Sequence, residues 1–253
     1  MRKILLIGIG PGGPDFMTVQ AIDALNRAQV LFLPDKGAEK AELREIREQI
    51  CRRFIAKPDY RSVTIEIPQR AAATHDYRET VDDWHAQIAA RYRRVLIDAL
   101  PDDGCGAFLV WGDPALYDST LRILDRLRAE GMDVAYEIIP GISAVQVLTA
   151  RHGIALNRIG ESVTITTGRK LAAMGKVTED LVVMLDGDET FAKIDAADIT
   201  IYWGAYLGMA DEILIAGKLA EVSAEIQRVR REAREAKGWI MDAYLLRRAD
   251  DGS

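Results

Sequence analysis

Gly8, Gly10 and Gly13 stand in the stretch GIGPGGPDFMT at positions 8–18, and Asp35 follows further along the chain. This spacing satisfies the G-x-G-x-x-G pattern, with an acid about 20 residues on, that dinucleotide-binding units use. Glycines there let backbone approach a ligand closely, and a helix N-terminus then stabilises the pyrophosphate. Two details oppose a pyrophosphate. Pro11 removes an N–H from the loop, and Pro14-Asp15 hold the next helix away until about Thr18. A nucleotide-type cofactor held in some other way is the first expectation. A nicotinamide oxidoreductase and a ligand-free tight turn are the alternatives.

The elements that must position this loop follow from the apolar pattern. Lys3–Ile9 is short, apolar and β-branched, which predicts a buried parallel strand. Thr18 is an N-cap for a helix carrying Val19, Ile22, Leu25 and Ala28, and Val30–Leu33 predicts a second strand ending near Asp35. A helix over Glu39–Phe54, a strand through Val63, Ile65 and Ile67, and a long helix from Tyr77 to Ala99 come next. Ala107–Trp111 predicts a fourth strand running into Gly112-Asp113-Pro114, followed by a helix closed at Gly131. Val134–Ile139 is a fifth strand that ends at Pro140-Gly141 and reopens as a helix capped by Ser143. Regular alternation of strands and helices means a parallel sheet covered on both faces. The glycine loop, Gly112-Asp113-Pro114 and Pro140-Gly141 then open on one edge, outside the carboxyl ends where such sheets bind ligands.

Beyond residue 150 the rhythm loosens. Strands are expected at Val163–Thr166, Leu181–Leu185, Ile199–Trp203, Ile213–Ile215 and Trp239–Leu246, with a charged helix over Ala220–Lys237. The expected fold is α/β: an N-terminal domain at 1–140 with a parallel five-stranded sheet and helices on both faces, and a C-terminal mixed α+β domain at 141–253. The cofactor is expected in the cleft between them.

Composition narrows the class. Against 39 acidic residues stand 33 Lys and Arg, a net charge of −6, which argues against nucleic acid as the main partner. No apolar run approaches the length of a membrane span, and the strand beginning at Lys3 leaves no room for a signal peptide. Cys51 and Cys105 lack metal spacing, so a reduced, cytoplasmic protein is expected. His75 and His85 have no third ligand at metal spacing and are read as structural or surface residues.

Taken together, GIGPGGPDFMT at 8–18, VWGDPALYDST at 110–120, PGISA at 140–144 and LVVMLDG at 181–187 resemble the tetrapyrrole methylase family in order and spacing. CGAFLVWGDPALYDSTLRILDR, ARHGIALNRIGESVTITTGR, IYWGAYLGMADEILIAG and GWIMDAYLLRR are similar to those members that methylate precorrin-5 at C-1 while its acetyl group leaves as acetate. The resemblance implies S-adenosyl-L-methionine as methyl donor, S-adenosyl-L-homocysteine as product, a small-molecule tetrapyrrole as substrate and a homodimer as the common assembly. A sibling acting on another precorrin carbon, or on ribosomal RNA, is the alternative within the family; the acidic balance weighs against RNA.

Carried over residue by residue, the resemblance places cofactor contacts at Pro11, Gly112, Asp113, Leu116, Ser143, Ala144 and Leu185. The family often has tyrosine-methionine where this chain has Met184-Leu185. Asp113 can accept hydrogen bonds from an amino group, although Asp113 and Ser143 also serve as an ordinary turn-former and helix cap. A polycarboxylate substrate calls for local positive charge, for which Arg158, Arg169 and Lys170 are the candidates. Loss of acetate calls for a general base or acid, and Asp35 is the candidate; its alternative role is to turn the chain with Pro34 and Gly37.

Overall fold

A computed structural model describes residues 1–35, 37, 41–56, 59–68 and 77–248. His75 lies outside the described residues. The chain divides into two compact units, Met1–Ser143 and Ala144–Ser253, against the expected division at 140/141.

In the first unit, strands β1 (Arg2–Gly8), β2 (Val30–Asp35), β3 (Arg61–Glu66), β4 (Cys105–Val110) and β5 (Val134–Ile139) alternate with helices α1 (Val19–Leu25), α2 (Ala41–Phe54), α3 (Tyr77–Ala99) and α4 (Thr120–Ala129). The strands form one parallel five-stranded sheet in the order β3-β2-β4-β1-β5. Because both faces are covered, β1 is apolar without alternation, and Ile4 to Ile7 are all fully buried. Ile4, Leu6, Phe32 and Phe108 turn to the face that Ile88, Tyr92 and Leu96 of α3 and Ile123, Leu124 and Leu127 of α4 cover. On the other face α1 packs on β1, and α2 on β2. Phe108 is sandwiched between Phe32 and Tyr92, with ring centroids 5.2 and 4.7 Å away.

Local signals account for the helix start after the glycine loop. Pro14–Phe16 form a single 3-10 turn, and only then does Thr18 cap α1, its hydroxyl accepting from Ala21 N at 3.1 Å. The helix N-terminus is thereby displaced from the glycines, as the proline spacing predicts.

The second unit opens with α5 (Ala144–His152) and holds β6 (Val163–Thr167), α6 (Gly168–Met174), β7 (Asp180–Met184), β8 (Ile199–Ala205), β9 (Ile213–Lys218), α7 (Leu219–Lys237) and β10 (Asp242–Arg248). Its five-stranded sheet runs β6-β7-β10-β8-β9, with β6 and β7 parallel and the other neighbours antiparallel. The last strand starts later than the apolar run from Trp239 predicts. Gly238 ends α7 in the left-handed region, and Trp239 is then claimed by Tyr206, whose ring meets it edge-on at 5.0 Å and whose hydroxyl donates to its carbonyl at 2.6 Å. Tyr206 N donates to Met241 O, so these residues brace a loop before β10 begins.

Candidate active site at the carboxyl ends of the first sheet

Three loops leave the carboxyl ends of β1, β4 and β5 and are held against one another. Gly10 N donates to Gly112 O at 3.2 Å and Gly112 N to Gly10 O at 3.0 Å, a reciprocal bridge between the first two loops. The third joins by steric fit. A Cβ on Gly8 would lie 2.5 Å from Gly141 N, 2.6 Å from its Cα and 2.9 Å from Gly112 O, so only glycine allows these chains to touch. Asp113 then ties the second loop to the third, its Oδ2 accepting from Gly141 N at 2.8 Å while Oδ1 accepts from Ala115 N at 2.8 Å. Asp113 is therefore both a turn-former and a cross-link. Each carboxylate oxygen keeps a further lone pair for a ligand.

Around this junction Pro11 and Gly12 are buried, Leu116 is half-buried and Ser143 is buried directly before α5. Gly112 has φ +68, and a Cβ there would meet only Ser143 Cα at 3.9 Å and Ile142 O at 4.0 Å, so its peptide is open to close approach. Tyr117 is left-handed at φ 55 and exposed, a residue that sequence reasoning did not single out although it sits within VWGDPALYDST.

The charge of the loops is one-sided. Positions 9–18, 110–119 and 139–144 contain Asp15, Asp113 and Asp118 and no lysine, arginine or histidine; Arg53 of α2 pairs with exposed Asp15 at 2.6 Å, which leaves Asp113 and Asp118 as the acids of these loops without an ion pair among the described residues. Such a lining suits a ligand with an amino group or a positive centre, and Pro11 subtracts a donor that a phosphate would use. The strand order opposes a dinucleotide as well. A dinucleotide-binding sheet sets β1 beside β2, whereas here β4 lies between them. Asp35 is thus two strands from β1, roughly 10 Å across the sheet, and not beside the glycine loop.

Asp35 ends β2 with both oxygens engaged: Oδ1 accepts from Gly37 N at 2.9 Å and Oδ2 faces Arg44 Nη1 at 3.5 Å. The remaining candidates belong to the second unit. Ala144 opens α5. Leu185 follows β7 with φ 55 and is 65% exposed, an apolar side chain held outward by left-handed backbone. Arg158 Nη2 pairs at 2.9 Å with Oδ1 of buried Asp180, whose Oδ2 accepts from Arg247 Nε at 2.9 Å. Arg169 and Lys170 are exposed on α6.

The turn after β7 is held by a buried network. Asp186 accepts from Thr190 N, Thr190 Oγ1 and Tyr244 Oη at 2.7, 2.8 and 2.6 Å. Arg230 donates to Asp186 O, Glu189 and Asp242. Burial pushes Asp242 above the usual carboxylate range, and Arg230 opposes that shift. Burial pushes the Cys51 thiol up to about 11 and raises Cys105, and no cluster of His, Cys, Asp and Glu among the described residues could hold a metal ion. No helix among them is long and apolar enough to cross a membrane.

A parallel sheet with glycine-locked loops at its carboxyl edge, followed by a mixed five-stranded sheet, defines an α/β protein of two sheets. The chain belongs to the tetrapyrrole (corrin/porphyrin) methylases, whose family pattern matches residues 3–223. It is 52% identical to a precorrin-6A synthase (deacetylating) of Sinorhizobium sp., over 99% of this chain and 97% of that one. It is similar to the crystal structure of a cobalamin synthesis related protein, CobF, from Corynebacterium diphtheriae: TM-score 0.82, 41% identity, 99% of this chain and 100% of that one covered. A uroporphyrin-III C-methyltransferase of Thermus thermophilus, solved with S-adenosylhomocysteine, shares the fold at TM-score 0.57 and 16% identity, covering 97% of this chain and 92% of that one.

Proposed function

We propose that this chain is the S-adenosylmethionine-dependent methyltransferase that methylates precorrin-5 at C-1 and releases acetate, giving precorrin-6A. The observation that carries the reading is the 52% identity to a deacetylating precorrin-6A synthase over essentially the whole of both chains. The residues at the carboxyl edge fit the cofactor. Loops that carry Asp113 and Asp118 and no lysine or arginine of their own favour a sulfonium and an amino group, and the open Gly112 peptide admits close contact.

S-adenosylmethionine, when bound, supplies a methyl group already activated by its sulfonium. What falls to the protein is alignment and exclusion of water, and good alignment alone contributes up to about 7–11 kcal/mol. Pro11, Gly112, Asp113, Leu116 and Ser143 are the proposed binding residues of the first unit. Asp113 would accept from the cofactor's amino group, and its bonds from Gly141 N and Ala115 N hold the carboxylate in place. Ala144 and Leu185 are proposed from the family resemblance, Leu185 as an apolar contact. Deacetylation forms a bond from water oxygen to the acetyl carbonyl carbon and breaks the bond between that carbon and the ring, whose electron pair stays with the macrocycle as acetate leaves, so a proton has to leave that water. Asp35 is the proposed acceptor, with Arg44 and Gly37 N orienting its carboxylate. Arg169 and Lys170 are proposed for substrate carboxylates. Any such part for Arg158 comes beside its ion pair with Asp180.

Incubation with precorrin-5 and methyl-labelled donor, followed by mass analysis of pigment and acetate, tests the reading. One labelled methyl in the pigment and one free acetate are expected. Methyl transfer without acetate, or to another precorrin only, would move the chain to a sibling activity.

A further inference from the structure

The carboxyl edge that suits a cation carries no positive charge in its three loops, yet the substrate proposed above is a polycarboxylate. One arginine of the first unit answers this from outside the loops. β2 and β4 are paired only from Val30↔Gly106 to Phe32↔Phe108; beyond that β2 continues with β3 to Asp35, and β4 continues with β1 to Val110. The two strands therefore part towards their carboxyl ends. Val110 O accepts from Ile9 N on the β1 side, and alternation along β4 turns Leu109 O to the β2 side, where no strand meets it. Arg47 of α2 enters this opening. Its Nε donates to Leu109 O at 3.0 Å and its Nη1 to Leu43 O at 2.8 Å.

Arg47 is half-buried, and burial pulls its guanidinium below the ordinary value. Among the described residues no carboxylate lies within ion-pair distance of it. Asp118 is within electrostatic reach, but its Oδ1 accepts from Thr120 N at 2.7 Å. Its neighbours on α2 differ: Arg44 meets Asp35 and Glu48, and Arg52 meets Glu45 and Glu48. A half-buried arginine whose hydrogen bonds go only to carbonyls, with no carboxylate at ion-pair distance, is an arrangement that an incoming anion relieves. Nη2 is left to meet one, three residues before Gly112 in the strand its Nε grips.

We propose that Arg47, at the opening between β2 and β4, is a substrate-binding residue that receives a carboxylate of the tetrapyrrole. The proposal rests on the methyltransferase reading, and the test separates the two. Wild-type protein that does not methylate precorrin-5 refutes that reading itself. With active wild type, Arg47→Gln is expected to raise the KM for precorrin-5 by about tenfold or more, the effect of a lost charge-assisted bond. The kcat and the S-adenosylhomocysteine Kd should stay near wild type, while the loss of a partner for Leu109 O and Leu43 O lowers the melting temperature by a few degrees. Arg47→Lys keeps the charge but not the fork and should fall between the two. An unchanged KM in Arg47→Gln overturns the proposal, and so does a rise in KM matched by an equal loss of cofactor affinity, which would mark a purely structural arginine. If the Gln variant does not fold, the Lys variant carries the test: a severalfold rise in KM at wild-type cofactor affinity upholds it, and a wild-type KM overturns it.

Discussion

Replacing Gly8 by alanine tests whether the fastening of the three loops governs the site. The new Cβ would sit 2.5 Å from Gly141 N, 2.6 Å from its Cα and 2.9 Å from Gly112 O. All three are backbone atoms at neighbouring strand ends, so no flexible side chain can move aside. Overpacking of this sort costs about 1–3 kcal/mol, and rigid neighbours put this site at the upper end. Alanine recovers about 0.4–1 kcal/mol by restricting the unfolded chain, because the residue is an ordinary strand position. A net loss of about 2 kcal/mol remains, or roughly 4–8 °C in melting temperature for a chain of this size. The loops relieve the clash by parting, which displaces Gly112, Asp113 and Ser143 together. Misplacement of the order of 1 Å can cost about 10²-fold in rate, so the loss in kcat/KM should exceed what stability alone explains. Calorimetric melting and titration with S-adenosylhomocysteine read both effects. Gly131→Ala is the control: Gly131 has φ +85 and open space around it, so it should lose about 1–2 kcal/mol of stability and no cofactor affinity. A Gly8→Ala protein with wild-type melting and wild-type affinity would refute the reasoning.

Asp113→Ala removes acceptors for Gly141 N and Ala115 N and should weaken S-adenosylhomocysteine binding by about 1–3 kcal/mol by titration calorimetry. Asp35→Asn should retain cofactor binding while slowing acetate release by about 10²–10⁴ in a coupled acetate assay; release at the wild-type rate would leave Asp35 a turn residue. Glu137 is held down from 4.5 to about 2 by its hydrogen bonds from Arg27 and Lys3. Its folded value lies below its unfolded one, so its contribution is complete above pH 4.5 and fades as pH falls towards 2. Glu137→Gln should therefore flatten the acid limb of a stability–pH curve, by less than about 1 kcal/mol because the side chain is one-third exposed. Arg158→Ala leaves buried Asp180 with Arg247 alone and should cost about 3 kcal/mol in urea denaturation, the low end for a broken buried pair because one partner remains.

Much of the first unit was legible because its determinants are local. A strand buried on both faces must read as a continuous apolar run, and Ile4–Ile7 do. Thr18 and the proline spacing set the start of α1 without help from distant residues. Gly8, Gly112 and Gly141 announced tight chain geometry, but not that they touch one another. That contact depends on strand order, and β4 between β1 and β2 is invisible to periodicity, since every parallel order of these strands buries the same apolar residues. The same order separates Asp35 from the glycine loop and so removes the dinucleotide reading that spacing alone had allowed. In the second unit Trp239 read as strand because it is apolar, whereas Tyr206, distant along the chain, decides its place.

Charged residues showed the limit most clearly. Arg158 looked like a free cation until tertiary packing brought it to Asp180, and Arg47 looked like one more surface charge of an amphipathic helix. The sequence by itself determined which elements form, where they cap and turn, and which family they belong to, because propensity, periodicity and motif spacing act over short stretches of chain. Tertiary structure alone decided which strand ends meet, which arginine is paired and which, half-buried, is held by carbonyls. Those outcomes depend on distances between residues far apart in the chain, and the energy of a charge is set by what surrounds it after folding.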